Sequence, residues 1–493
     1  MHIELDRGNR EPLYRQLATS VQQRIRSGAL PPRTRLPTVR QLAQQLGVTR
    51  LTVHSAYAKL QAEGWIEATV GRGTFVAESI EQLITPPEAQ LGREVTPAGM
   101  LADLLRMAQL PGLLMLARAD PDPTLFPLRA WQRAVEVALS QGGPALMNYT
   151  TAQGDLQLRS VLAELVRERG ISAGPDEIMV LNGVNHGIAL ASDLLAGSGA
   201  TVVVEQPTYL GMLNVLHARN IRALGVELDA EGPILADLEQ IVRTERPAFF
   251  YTIPTNQNPS GICMSSARRA ALLELAERYR LPIVEDDIYS AISFDGPPPA
   301  ALKATDRSGL VLYLSSFAKN LMPGLRLGYA VAAPGLLQRM VTLRQAGDIC
   351  SPLLTQRALT VFLEQGALHS HLRRVLPRYQ ERRDALLRAM SRFFPPDVSW
   401  TQPQGGYSCW VRLPAGVNVT DLYLSAIGRG VGFTPGAVFS AAMETHPHLR
   451  LCYGTEGPDR LGEAVATLGS LLRERRPGQA NPRPAMSDFI PVV

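Results

Sequence analysis

From about Leu113 to Arg475, short apolar runs alternate with stretches of helical period, and this alternation restricts the fold more than any other feature of the chain. The runs Ile178–Leu181, Thr201–Glu205, Phe249–Ile253, Pro282–Glu285, Leu310–Leu314 and Leu327–Ala332 read as strands. Stretches such as Ser265–Arg280 between them read as amphipathic helices. The pattern predicts an α/β domain around a mainly parallel sheet. At 493 residues the chain is too long for one core, so further domains are expected. No internal repeat is visible.

The first 77 residues follow a different pattern. Leu13, Leu17, Val21 and Ile25 recur every four positions and predict a helix over 12–27. Thr38 is placed to cap a second helix, Val39 to Leu46. Gly47 supplies a turn, and Thr49 caps a third helix that runs to about Glu63 and ends at Gly64. Trp65–Val70 and Thr74–Val76 read as strands around the hairpin loop Gly71-Arg72-Gly73. Helix, helix-turn-helix and a two-stranded wing is the order of a winged helix-turn-helix module. Residues 78–112 are broken by Pro86-Pro87, Gly92, Pro97 and Gly99 and read as a linker with one short helix near Leu101–Ala108. Roughly 30 flexible residues span about 30 Å, enough to reach a neighbouring subunit. The Pro-rich segment 476–493 reads as a disordered tail.

Charge divides the same way. Residues 1–77 hold eleven Lys/Arg against five Asp/Glu, or +6, which leaves −2 for the rest of a chain of net charge +4. A short basic segment on a near-neutral body suits a nucleic-acid-binding head. No run approaches the roughly 20 apolar residues of a membrane span, and the N-terminus lacks a secretory core, so a cytoplasmic protein is expected. Cys263, Cys350, Cys409 and Cys452 form no CxxC pair, which predicts four buried reduced thiols and no metal site.

In the head, Leu36-Pro37-Thr38-Val39-Arg40-Gln41-Leu42-Ala43, Leu46-Gly47-Val48-Thr49-Arg50, Thr52-Val53, Tyr57, Leu60, Gly64-Trp65-Ile66 and Gly71-Arg72-Gly73-Thr74-Phe75-Val76 together resemble the GntR family of bacterial regulators. Arg33 departs from the family, which usually has glycine there, and adds charge near the DNA side. Val53, Tyr57 and Leu60 supply the packed face of the third helix, leaving Thr49, Arg50, Thr52 and His54 for the groove. Arg50 suits a bidentate contact to guanine, while Arg35, Arg40 and Arg72 suit phosphates.

Schiff-base chemistry requires a lysine amine, and the chain has three lysines: Lys59 in the head, Lys303 in a loop after Gly296-Pro297-Pro298-Pro299, and Lys319 just beyond a strand. Ser315-Ser316-Phe317-Ala318-Lys319 with Pro323-Gly324-Leu325-Arg326-Leu327-Gly328 resembles fold-type I aminotransferases, which bind pyridoxal phosphate. The resemblance covers 113–475 and implies the remaining roles. Lys319 carries the cofactor as an internal aldimine, and Ser316 and Arg326 hold its phosphate. Asp286 of Asp286-Asp287-Ile288-Tyr289 pairs with the pyridine nitrogen, while Tyr289 and Asn258 bond the ring hydroxyl. Tyr209 stacks on the ring. The backbone of Gly183, Val184 and Asn185 meets the phosphate at a helix start; Val184 departs from the usual Gly-Ser-Gln pattern and removes a hydroxyl donor. Tyr149, with Gly154, resembles the segment that reaches the phosphate across a dimer interface. Arg450 stands where these enzymes bind a substrate carboxylate.

A GntR-type head on an aminotransferase-like body resembles the MocR subfamily of regulators. The resemblance implies a domain-swapped homodimer that binds a double-stranded DNA operator. It senses pyridoxal phosphate itself, or a small amino compound, through the aldimine at Lys319. The nearly complete pocket keeps an alternative open, a working aminotransferase with an appended DNA-binding head, because fold and cofactor site alone do not decide turnover.

Overall fold

The computed structural model describes residues 12–26, 30, 33–62, 65–69, 73–77, 113–442 and 447–474. The chain divides into two compact units, Met1–Val95 and Thr96–Val493. The linker segment 78–112, the tip of the wing including Arg72, the residues Glu63–Gly64 and the tail 476–493 lie outside the described residues.

In the first unit, α1 (Leu13–Arg26), α2 (Val39–Leu46) and α3 (Arg50–Ala62) precede the antiparallel pair β1 (Ile66–Thr69) and β2 (Gly73–Val76). Thr38 caps α2 by a reciprocal pair of bonds. Its Oγ1 accepts from the Gln41 N–H at 3.3 Å, and Gln41 Oε1 accepts from the Thr38 N–H at 3.0 Å. Gly47 then turns into the left-handed region and closes the helix on the Ala43 carbonyl. Thr49 Oγ1 accepts from the Thr52 N–H at 3.2 Å and opens α3. Leu17, Val21, Ile25, Leu42, Val53, Ala56 and Leu60 form one buried core, and the Tyr57 hydroxyl donates to the Pro37 carbonyl at 2.8 Å, tying α3 to the start of α2. Arg33 has φ 64. The left-handed turn that glycine favours is therefore kept here with a side chain on it.

In the second unit, β3 (Leu114–Met115) leads into an eight-stranded sheet of β4 (Ile178–Leu181), β5 (Thr201–Gln206), β6 (Arg222–Asp229), β7 (Gly232–Pro233), β8 (Phe250–Thr252), β9 (Ile283–Asp286), β10 (Val311–Ser316) and β11 (Gly328–Val331). Their order is β4-β11-β10-β9-β8-β5-β6-β7. β11 runs antiparallel to both neighbours and β7 antiparallel to β6; the other pairings are parallel. All residues of β4, β8, β9, β10 and β11 are buried, as expected for strands covered by helices on both faces. A smaller antiparallel sheet joins β12 (Ser399–Trp400), β13 (Ser408–Arg412), β16 (His448–Cys452) and β15 (Thr434–Pro435), while β14 (Val431–Gly432) pairs with β3. This smaller layer packs with the helices Ala367–Phe393 and Pro458–Glu474 around its own core, including Leu386, Val411, Leu451 and Leu468.

Two expectations need correction, and some strands add to those read from the sequence. Lys303 lies in a short helix, Leu302–Thr305, rather than a loop, because Glu285 accepts from the backbone N–H groups of both Leu302 and Lys303. Only Cys409 and Cys452 are buried; Cys263 and Cys350 are partly exposed. The strand β6 and the smaller sheet stand beyond the strands anticipated from apolar runs.

Candidate functional site

The strands β4, β5, β8, β9 and β10 all run in one direction, so their carboxyl ends share one edge of the large sheet. Gly183 follows β4, Tyr209 follows β5, Asn258 follows β8, Asp286 ends β9, and Ser316 ends β10 with Lys319 three residues on. Arg326 stands just before the reversed strand β11, which starts at that same edge. Open α/β sheets bind ligands at this edge.

Asp286 is buried, and its Oδ2 accepts from the Tyr251 hydroxyl at 2.7 Å. Its Oδ1 has no partner. Burial pushes its pKa up to about 7, against the lowering effect of the Tyr251 bond. A bare carboxylate oxygen inside a protein is costly and calls for a donor. Tyr289 is buried beside Asn258, whose Nδ2 donates to its hydroxyl at 3.5 Å. Asn258 Oδ1 in turn accepts from Arg450 Nη1 at 2.8 Å. Arg450 Nη2 donates to the Ala117 carbonyl at 2.6 Å, and the guanidinium lies 4.7 Å from the centre of the Phe439 ring. Arg450 Nε is buried without a partner, and among the described residues no carboxylate pairs with this side chain.

Around the start of the helix Val184–Leu195, Gly183 has φ 90, and a Cβ there would stand 3.1 Å from Arg326 Nη2. The absent side chain lets the guanidinium lie against the turn, where Nη2 donates to the Asn182 carbonyl at 3.1 Å. Arg326 itself holds φ 51. The Ser316 hydroxyl donates to the Leu327 carbonyl at 3.0 Å and accepts from the Ala318 N–H at 3.1 Å. The Tyr209 hydroxyl donates to Asn185 Oδ1 at 3.2 Å. The donors this turn offers an oxyanion are the helix-start N–H groups and the Arg326 guanidinium.

Lys319 Nζ donates to Asp120 Oδ1 at 2.7 Å. Burial alone would raise the Asp120 carboxyl, but the Lys319 charge and hydrogen bond, with Arg118 behind them, hold it at about 2. Reading the sequence did not single out Asp120. Tyr149 is 80% exposed and is not among the residues that converge on this edge of the same chain.

In the head, Arg35, Arg40, Thr49, Arg50 and His54 are exposed and Thr52 half-buried. The Thr49 hydroxyl is engaged at the start of α3, 2.8 Å from that of Thr52. Arg35 lies along the wing, its Nε 3.1 Å from where a Cβ on Gly73 would stand. Leu51, 73% exposed between Arg50 and Thr52, is a second residue that the sequence reading passed over; a lone apolar residue in a basic helix gives no periodic signal.

Fold and pocket together define a cofactor-site α/β protein of the aminotransferase type that carries a helix-turn-helix head. Residues 120–468 match the family "Aminotransferase class I and II" and residues 13–76 match "Bacterial regulatory proteins, gntR family". The chain belongs to the class I and II aminotransferase family over its body, with a GntR-type head, the architecture of MocR-type regulators. The HTH-type transcriptional regulator YdfD of Bacillus subtilis is 30% identical over 94% of this chain and 97% of its own length. The probable rhizopine catabolism regulatory protein MocR of Rhizobium meliloti is 30% identical over 88% of each chain. Among solved structures, LysN, the alpha-aminoadipate aminotransferase of Thermus thermophilus complexed with N-(5'-phosphopyridoxyl)-L-leucine, is similar at TM-score 0.71 and 33% identity, covering 75% of this chain and 94% of its own.

Proposed function

We propose that this protein is a cytoplasmic, pyridoxal-phosphate-dependent transcription regulator that binds an operator through its head and senses the cofactor or a small amino compound at Lys319. The observation that carries this reading is the sheet edge that gathers Lys319, Asp286 with its bare Oδ1, and Arg326 beside Gly183, in a chain that begins with a DNA-reading module. No described helix is long and apolar enough to cross a membrane.

The residues fit the cofactor. Pyridoxal phosphate, when bound, supplies an aldehyde for amines and a ring that withdraws electrons. Gly183, Val184 and Asn185 offer backbone N–H groups to its phosphate, with Ser316 and Arg326 completing the cup. Asp286 Oδ1 would accept a hydrogen bond from the protonated ring nitrogen and, as an anion, keep the proton on the ring. Tyr289 and Asn258 hold the ring oxygen, Tyr209 covers a ring face, and Lys319 Nζ presents the amine. Arg450 orients the carboxylate of an incoming ligand. Tyr149 serves the cup of a partner subunit in a domain-swapped homodimer; its exposure, with that of Leu128, Leu139, Met147 and Leu156 in the same stretch of sequence, supports that role. On DNA, Arg50 reads a base, helped by Leu51 against a thymine methyl, with Thr49 and Thr52 alongside and Arg35, Arg40 and Arg72 on phosphates.

The unmatched charge of Arg450 favours a second reading, a working aminotransferase with a DNA-binding head. One preparation tests both. The purified chain with pyridoxal phosphate should turn yellow, and Lys319→Ala should lose that absorbance. A chain that stays colourless overturns the cofactor reading. Keto acid released from an amino acid over many turnovers would favour the enzyme over the sensor.

A further inference from the structure

One acid in the pocket is left without a task by the roles above. Asp120 stands on the segment that follows β3, with Oδ1 2.7 Å from Lys319 Nζ and Oδ2 2.7 Å from Arg118 Nη2. Its side chain is 23% exposed, while that of Arg118 is 45% exposed. The segment is pinned on both sides. The Ala117 carbonyl takes the 2.6 Å bond from Arg450, and the Asp120 carbonyl passes so close to Gly454 that a Cβ there would stand 2.1 Å from it. The carboxylate therefore cannot leave with its loop. Lys319 bonds Asp120 and Arg450 bonds the carbonyl of Ala117 three residues earlier, so both cations meet the same short segment.

We propose that Asp120 and Arg450 together select an amino acid bearing a second cationic group, an ammonium or a guanidinium, as the ligand of this site. The inference rests on the reading that a cofactor engages the Lys319 amine. For a ligand that binds while the cofactor still holds Lys319, Asp120 Oδ1 is without that free ammonium, while Oδ2 keeps only the more exposed Arg118. A half-sheltered carboxylate oxygen is best satisfied by a charge-assisted donor from the ligand. At the other end, the buried Arg450 guanidinium takes the ligand carboxylate. An apolar side chain leaves Oδ1 unpaired, and an acidic one adds like charge beside it.

The test is calorimetric titration of the full-length protein loaded with pyridoxal phosphate, using L-ornithine and L-norleucine, which differ at the chain end by an ammonium against a methyl. L-Ornithine should bind about tenfold more tightly or better, the size of one charge-assisted bond. Asp120→Asn should bring the ratio to within about twofold of one, and Asp120→Glu should restore a preference for ornithine. L-Arginine tells guanidinium from ammonium. Equal binding of the two ligands by the wild type, or a preference that survives Asp120→Asn, overturns the proposal and leaves the cofactor reading standing. A wild-type protein that takes up no cofactor overturns both.

Discussion

An unfolded aspartate titrates near 3.9, whereas burial holds Asp286 at about 7. The folded, cofactor-free protein therefore keeps a proton that the unfolded chain releases. Stability from this group is complete below about pH 4 and is lost as pH rises through about 7. Buried Glu205 and Glu285 are shifted upward by burial as well and add in the same direction. Asp286→Asn should make the cofactor-free protein more stable than wild type at pH 8, by about 1–3 kcal/mol, with the gap closing towards pH 4. Urea unfolding at the two pH values checks this. The same substitution should weaken cofactor uptake, read by absorbance titration, because an amide does not hold a proton on a ring nitrogen. In the head, Arg50→Ala should cost about 1–3 kcal/mol on the operator and relax one base position. Arg40→Ala should weaken all sequences alike and lower the salt slope. Binding assays on operator and random DNA separate the two, and equal losses for Arg50→Ala would remove its base-reading role.

At the scale of elements, the head was almost fully legible. Thr38, Gly47 and Thr49 each do locally what their side chains dictate, and the helix edges follow within a residue. At Arg33, where the related family usually has glycine, the chain keeps the glycine-type turn. A non-glycine residue at φ 64 is strained, so Arg33→Gly should stabilise the head by about 0.5–1 kcal/mol after the glycine's own entropy cost. Thermal unfolding followed by the fluorescence of Trp65 reports it. In the body, continuous apolar runs marked the buried strands, but a run carries no direction, so the reversal of β11 was invisible. β6 has exposed residues at both ends and no such run. β3 and β14 are two residues each and pair across most of the chain, which leaves no local trace. The residues proposed to hold the cofactor were legible because most of them follow a strand in a short motif, Tyr149 excepted. Asp120 was not, since only folding carries it across 199 positions to Lys319.

The proposed dimer belongs to the whole molecule. From Leu128 to Leu156 five large apolar side chains are exposed, Leu128, Leu139, Met147, Tyr149 and Leu156, a concentration in one stretch of chain that suits an interface. Leu128→Glu combined with Met147→Glu should shift the protein to monomer in sedimentation and weaken cofactor binding, because the partner's phosphate contact leaves with it. A dimer that survives the double substitution would place the interface elsewhere.

The scarcity of lysine bears on how the protein can be handled chemically. Lys303 is tied to Asp306 at 2.9 Å with a side chain only 12% exposed, and Lys59 lies half-buried in α3. A chain of 493 residues thus offers reagents that seek primary amines almost no background beyond its own N-terminus. Borohydride reduction of the purified protein with pyridoxal phosphate, followed by peptide mapping, would read the proposed occupancy of Lys319 without a variant, where a lysine-rich protein would blur the signal over its surface.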